Sequence, residues 1–271
     1  MTTLKGLMDL RGRRALITGA AGGLGRVMAD TLAELGADLV LVDRPGCDLG
    51  PLVEDLQAKW SIVTLALVCD LEIEDQRRAL IETVKADGRG LNSLINNAAF
   101  VGDSNLQGWV GSFEEQTLDT WRRAMEVNLT AAFHLSQAFT PELRAACGGN
   151  IINISSIYGE YGPDWRLYEG ATMGTTMGNP AAYAASKGGL IQLTRWLATT
   201  LAPDVRVNAI SPGGVLRNQP EAFVRRYEDK TPLKRMAIEE DFRGAIAYLA
   251  SDMSRYVTGQ NLWVDGGWGA W

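Results

Sequence analysis

The sequence predicts an α/β fold: one domain over residues 1–271, built as a doubly wound, parallel, seven-stranded sheet. Two observations carry that prediction. Short apolar, β-branched runs alternate with amphipathic stretches along the chain, the pattern of a parallel sheet covered by helices on both faces. The strand-like runs are apolar nearly throughout, as strands buried on both sides are. No linker, repeat or low-complexity segment divides the chain.

Taken in order, 13–18 reads as a strand. Residues 23–36 read as a helix, with Leu24, Val27, Met28, Leu32 and Leu35 at helical spacing. A strand at 37–43, a helix at 48–60, a strand at 62–69, a charged helix at 74–87 and a strand at 91–96 follow. After an irregular glycine-rich piece comes a long helix at 117–146, with a break expected at Pro141. The second half reads as a strand at 150–155, a helix at 181–201, a strand at 205–211, a helix at 239–251 and a last strand at 261–265. Ligands of such folds sit beyond the carboxyl ends of the strands, where the strand order switches. The motifs described below lie just after strands.

Composition excludes several function classes. A net charge of −6 lacks the basic face that nucleic acid requires. There is no apolar run long enough to span a membrane and no signal-peptide pattern at the N-terminus, so the expected location is the cytoplasm. Cys47, Cys69 and Cys147 form no metal-ligand pair and no disulfide framework, and read as free thiols. The single histidine, His134, rules out a multi-histidine metal centre, so no metal is expected. It lies in a helix-like segment without a neighbouring carboxylate and reads as a packing residue. Proton chemistry must then rest on Tyr, Lys, Asp or Glu.

"TGAAGGLG" (18–25) follows the first strand and opens the first helix. Gly19, Gly23 and Gly25 allow a tight turn and let a diphosphate approach backbone N–H groups at the helix N-terminus. Asp43 ends the second strand, where an acid accepts hydrogen bonds from both adenosine ribose hydroxyls. It also repels a 2′-phosphate, which favours NAD over NADP. Arg44 beside it is able to read a phosphate, but the residue before Gly23 is Gly22, not a base. Asp70, after the third strand, is placed either to meet the adenine edge or to cap the next helix.

Tyr183 and Lys187 stand four apart on one predicted helix and share a face. A phenol titrates near 10, and an adjacent ammonium is expected to lower that toward the working pH of an acid–base catalyst. Ser156 ends the fifth strand and is placed to polarise a substrate oxygen, with Ser155 the structural neighbour.

These strings, with "NNAA" (96–99), "VNL" (127–129), "NISS" (153–156), "YAASK" (183–187), "SPGG" (211–214) and "YVTGQNLWVDGG" (256–267), resemble the short-chain dehydrogenase/reductase family in order and spacing over about residues 9–267. The resemblance implies a Rossmann-type fold, a homotetramer or homodimer, and a catalytic tetrad of Asn128, Ser156, Tyr183 and Lys187. Tyr183 would exchange the substrate proton, and Ser156 would hold the substrate oxygen. Lys187 would lower the Tyr183 pKa and bind the ribose. Asn128 would bend its helix and hold a water. It also implies cofactor contacts from Leu24, Leu71, Asn97, Ala98, Pro212, Gly213 and Val215. One position departs: where members often carry Thr after "PG", this chain has Arg217 and then Asn218, so Val215 or Asn218 would have to meet the carboxamide.

Residues 157–182 separate Ser156 from Tyr183, roughly twice the family's usual interval. Both side chains must reach one oxygen, so an insertion at 157–179 has to loop out at the mouth of the site and return. It carries Tyr158, Tyr161, Trp165, Arg166, Tyr168, Glu169, Met173 and Met177. A loop this long is uncommon unless functional, though packing on a neighbouring subunit is the alternative. Tyr158 and Arg166 are the expected substrate contacts beside Ser156 and Tyr183, and Arg217 is a second candidate for an anionic substrate group. With the polar, aromatic segment at 100–115, the pattern fits a small, hydroxyl-rich, sugar-like substrate. It also resembles a branch of the family found in bacterial surface-carbohydrate biosynthesis. Trp263, Trp268 and Trp271 close either this subunit's pocket or a neighbour's. The expected activity is hydride transfer between NAD(H) and a carbonyl or secondary alcohol. A 3-oxoacyl-type reductase, a sugar-nucleotide epimerase or dehydratase, and a non-catalytic dinucleotide sensor are the alternatives.

Overall fold

A computed structural model of the protein describes residues 2–101, 106–169 and 178–271. Seven parallel strands form one sheet in the order β3-β2-β1-β4-β5-β6-β7. They are β1 (Arg14–Thr18), β2 (Asp38–Asp43), β3 (Thr64–Val68), β4 (Ser93–Asn96), β5 (Asn150–Ile154), β6 (Arg206–Pro212) and β7 (Asn261–Val264). Between them run α2 (Gly23–Glu34), α3 (Gly50–Trp60), α4 (Glu74–Ala86), α5 (Leu118–Met125), α6 (Ala131–Ala145), α7 (Ala181–Leu201), α8 (Glu221–Lys230) and α9 (Arg243–Ala250), after a short α1 (Leu4–Met8).

Side-chain alternation builds two cores from the same strands. Ile17, Leu39, Leu41, Ile95 and Ile152 point to one face, where Met28, Leu32 and Ile246 of α2 and α9 cover them. Leu16, Val40, Val42, Leu94, Ile151 and Val207 point to the other, under Leu80, Leu135 and Leu197 of α4, α6 and α7. Burying one such side chain contributes about 1.5–3 kcal/mol. This two-sided burial is why both faces of the central strands carry apolar residues, although polar side chains such as Asn96, Asn150, Asn153 and Asn208 are buried among them. The edges differ: β3 is only partly covered and Val68 is exposed, and all of β7 is half-buried.

The expected break at Pro141 is not there. Pro141 sits inside α6. The irregularity falls earlier, in a π-helical segment at Glu126–Thr130 that contains Asn128. A π segment widens the helix by one residue and recurs at functional sites. Here Ala131 N–H donates to Glu126 O, and the turn delivers the Asn128 side chain inward, to Phe100 and Ser186.

Two helices had no sequence-based expectation. α1 is short and buries nothing. α8 (EAFVRRYEDK) is mostly polar, and only Phe223 and Tyr227 are buried, one turn apart. Two anchors give too little periodicity to separate a helix from a polar loop.

Because the order steps from β1 outward to β2 and β3, and from β4 in the opposite direction, the switch lies between β1 and β4. Crossovers leave on opposite faces there and open a crevice beyond the carboxyl ends.

Candidate active site

That crevice is a cleft of about 830 Å³. Gly19, Gly23, Leu24, Gly25, Asp43, Asp70, Leu71, Asn97, Ala98, Ser156, Tyr183, Lys187, Pro212, Gly213 and Val215 all line it. Residues spread from one end of the sequence to the other are brought together by the carboxyl ends of six strands, β1 to β6.

The floor is the turn after β1. Gly19 has φ +66°, and a Cβ there would lie 2.8 Å from Ala98 Cα. At Gly25 a Cβ would stand 2.1 Å from Gly19 O. Glycine is therefore imposed at both positions by backbone packing as well as by any ligand. The Gly22 N-cap contributes no side-chain bond, so the first-turn amides of α2 have no side-chain cap. Such N–H groups bind anions. Thr18 ties this turn to β4: its Oγ1 accepts from Asn97 N (3.1 Å) and Ala98 N (3.0 Å). Asn97 Nδ2 donates in return to Thr18 O (2.9 Å) and Gly19 O (3.0 Å). Sequence reasoning missed Thr18. The only available signal was a hydroxyl residue directly before the first glycine.

Asp43 Oδ2 accepts from Ala21 N and Oδ1 from Arg44 N, each at 2.8 Å. The carboxylate braces the glycine turn and faces the cleft. Asp70 does not cap α4, whose N-cap is Ile73. Its Oδ1 instead accepts from Glu72 N at 3.0 Å, a local turn that leaves it on the cleft wall. Cys47 and Cys69 also line this end, and burial pushes the Cys69 thiol up to about 11, which keeps it protonated and inert. His134 lies away from the cleft, its Nδ1 accepting from Arg77 Nε at 3.2 Å.

At the other end stand Ser156, Tyr183 and Lys187. Lys187 is buried, and its Nζ donates to Ile154 O at 2.7 Å. Desolvation pulls its pKa from 10.5 down to about 8. Its Nζ lies 5.8 Å from the centre of the Tyr183 ring. The expectation that Lys187 lowers the Tyr183 pKa is not met in this arrangement. Burial raises the phenol above its ordinary value, against the opposing hydrogen bond with Ser156, and nearby Tyr168 pushes it up further. The Lys187 ammonium is directed at Ile154 O and stands off the Tyr183 ring, so it does not offset the desolvation of the phenol. Tyr183 is thus a neutral phenol at neutral pH, a proton donor.

Ser156 Oγ accepts from Tyr158 N at 3.2 Å, which fixes its rotamer. Ser155 Oγ donates to Lys187 O at 2.8 Å and fastens β5 to α7. Asn128 does not line the cleft. Its Oδ1 accepts from Phe100 N (2.6 Å) and its Nδ2 donates to Ser186 Oγ (2.9 Å), while Ser186 Oγ donates to Tyr183 O (2.8 Å). With its amide engaged at both ends, Asn128 braces the turn between Tyr183 and Lys187.

The described part of the insertion, residues 157–169, packs against α8 and the C-terminal segment of the chain. Ile157, Tyr158, Leu167 and Tyr168 form a cluster with Phe223, Tyr227, Met236 and Trp268. Tyr158 and Tyr168 share a phenol–phenol bond of 3.1 Å, and Trp268 stacks on Tyr227 at 4.3 Å. Lys230 of α8 donates to Asp164 at 2.9 Å, and Arg226 donates to the carbonyls of Leu167 and Glu169. Tyr158 stands behind the cleft, not on its lining. Arg166 is not brought to the site either: its guanidinium is largely exposed and pairs with Asp164. Met173 and Met177 lie outside the described residues. The tail splits, with Trp268 buried, Trp263 against Tyr161 at 5.2 Å, and Trp271 exposed. From the segment at 100–115, Phe100, Leu106, Trp109 and Val110 belong to one cluster with Tyr183, and of these Phe100 and Leu106 line the cleft. After Val215, Gln219 Nε2 donates to Val215 O at 2.8 Å and its Oε1 accepts from Arg217 N at 2.7 Å. Arg217 and Gln219 line the cleft, whereas Asn218 does not.

Among the described residues there is no cluster of metal-ligating side chains, and no helix is long and apolar enough to cross a membrane.

A family profile described as Enoyl-(Acyl carrier protein) reductase matches residues 19–269. The chain is 35% identical to a tropinone reductase homologue of Arabidopsis thaliana, over 97% of this chain and 92% of that one. It is 36% identical to trans-4-hydroxycyclohexanecarboxylate dehydrogenase of Sinomonas cyclohexanicum, over 93% and 91%. The fold matches a gluconate 5-dehydrogenase from Burkholderia cenocepacia in complex with NADP and tartrate, with TM-score 0.85, 30% identity and coverage of 99% and 100%. It also matches a short chain dehydrogenase from Leptospira borgpetersenii with bound NAD+, with TM-score 0.81, 29% identity and coverage of 99% and 96%.

Proposed function

The chain belongs to the short-chain dehydrogenase/reductase family of oxidoreductases, and from that premise we propose that it transfers hydride between NAD(H) and a carbonyl or secondary alcohol of a small, hydroxyl-rich substrate. One observation carries this reading. A single cleft holds the anion-binding turn and Asp43 at one end, and Ser156, Tyr183 and Lys187 at the other.

The residues fit a dinucleotide. Uncapped amides at the start of α2 suit its diphosphate, and the crowding at Gly19 and Gly25 keeps that approach free of side chains. Asp43 suits a ribose diol and repels a 2′-phosphate, which favours NAD. Leu24, Asp70, Leu71, Asn97 and Ala98 would flank the adenosine half, and Pro212, Gly213 and Val215 the nicotinamide. When bound, the cofactor supplies or accepts the hydride.

The chain's own groups handle the proton. Ser156 would donate a hydrogen bond to the substrate oxygen: its Oγ accepts from Tyr158 N–H, which leaves the hydroxyl proton available. Tyr183, neutral at neutral pH, would give its proton to a carbonyl oxygen as negative charge develops there. Lys187 would stabilise the phenolate left behind, and Asn128 would keep Tyr183 and Lys187 in register through Ser186.

A polyhydroxylated substrate is supported by the likeness to a gluconate 5-dehydrogenase. Assembly as a homodimer or homotetramer belongs to the same reading. Trp121, Phe133 and Trp196 expose apolar surface along α5, α6 and α7.

The test follows NADH consumption with keto-sugars, keto-acids, cyclic ketones and a 3-oxoacyl thioester. The expected result is turnover of a polyol-type carbonyl, lost almost entirely in Tyr183→Phe with NADH affinity retained. NADH binding without turnover on any class, or near wild-type rates in Tyr183→Phe, would overturn it.

A further inference from the structure

Arg217 and Glu239 meet over the glycine turn. A Cβ on Gly23 would lie 2.5 Å from Glu239 Oε1 and 3.1 Å from Arg217 Nη2. The two side chains are themselves paired, Arg217 Nε to Glu239 Oε1, at 3.4 Å. Gly23 is the first residue of α2, a helix with no side-chain cap and no acidic residue in its first turn. Glu239, which arrives from the turn before α9, therefore brings a negative charge to the positive end of α2. Arg217 lines the cleft and its side chain is about half exposed, so it is free to turn. Its backbone is not free: Gln219 holds the Val215–Arg217 turn from both sides.

We propose that Arg217 binds the diphosphate of the dinucleotide, and that Glu239 is its partner only while the cleft is empty. The proposal rests on the reading of the cleft as a dinucleotide site. A diphosphate at the α2 N-terminus would stand beside Gly23, within the space that Arg217 and Glu239 already share. An exposed, monodentate ion pair is weakly held in water and exchanges readily for a stronger one. A guanidinium forms two parallel bonds with a phosphate, and these are stronger because both partners are charged. Glu239 competes with the diphosphate for the Arg217 guanidinium. The pair thus sets cofactor affinity through that one competition, with Glu239 acting on binding only by way of Arg217. It also places Arg217 on the cofactor, not on an anionic group of the substrate.

Equilibrium binding of NADH and of ADP-ribose, which lacks nicotinamide, tests the assignment without reference to turnover. Arg217→Ala should raise both dissociation constants alike, by about 10-fold or more, the usual worth of a charged hydrogen bond. Glu239→Gln should tighten both by about threefold, and this gain should vanish in the Arg217→Ala background. Loss of NADH affinity with ADP-ribose unchanged would place Arg217 on the nicotinamide half and overturn the proposal. So would unchanged binding of both ligands, or a Glu239→Gln effect of equal size in both backgrounds. If the wild-type protein binds neither ligand, the dinucleotide reading falls as well. Binding that is intact but indifferent to Arg217 removes this inference alone.

Discussion

Lys187 is a buried ammonium whose proton-holding ability the fold itself weakens, and that has a measurable thermodynamic consequence. In the folded state its pKa is about 8, against 10.5 for the free side chain, with desolvation the cause. A depressed lysine costs stability wherever both states are protonated, that is, below about pH 8. As pH rises from about 8 to 10.5 the folded protein sheds this proton while the unfolded chain keeps it, so stability rises; above 10.5 the penalty is gone. At 1.36 kcal/mol for each tenfold change in proton affinity, the penalty at neutral pH is about 3 kcal/mol. Lys187→Met keeps the length of the stem and removes the charge. Urea unfolding of both proteins, without cofactor, at pH 7, 8, 9 and 10 isolates the effect, because other titrating groups cancel in the difference. The stability of wild type relative to Lys187→Met should climb by about 2–3 kcal/mol between pH 7 and 10, while turnover is lost in the variant at every pH. A difference flat to within about 0.5 kcal/mol would refute the claim that burial destabilises this ammonium.

Asp43→Ala should weaken NAD binding by about 10-fold or more and leave NADP binding unchanged or improved; equal losses in a fluorescence titration would remove the ribose contact. Gly25→Ala forces a Cβ to within 2.1 Å of Gly19 O, so it should cost about 1–3 kcal/mol in chemical denaturation and abolish dinucleotide binding. Replacing the insertion at 157–179 by a short turn should abolish turnover of the true substrate. It should also lower the melting temperature, because Phe223, Tyr227 and Trp268 lose their cover; unchanged kinetics would refute its role in substrate choice.

The strand pattern, the glycine turn and the Tyr183–Lys187 spacing were legible because each is local. Apolar runs, a helix start and an i, i+4 pair express their physics within a few residues. The same locality explains what was misjudged. A proline reads as a break, yet the helix is irregular at Asn128, where distant Phe100 and Ser186 supply the bonds. An arginine in the insertion reads as a substrate contact, yet it turns to Asp164 two residues away. A lysine one turn from a tyrosine reads as its activator, yet Lys187 is drawn to Ile154 O and desolvated.

By itself, then, the sequence determined the seven strands alternating with helices and the residue types able to move a hydride's accompanying proton. Tertiary structure alone decided that Thr18 and Asn97 lock the glycine turn, that α8 and Trp268 pack against Ile157, Tyr158, Leu167 and Tyr168, and that Arg217 faces Glu239 over Gly23. These are contacts between residues far apart in the chain, settled by which strand ends lie side by side and by what burial does to charge, and neither is written in any short stretch of sequence.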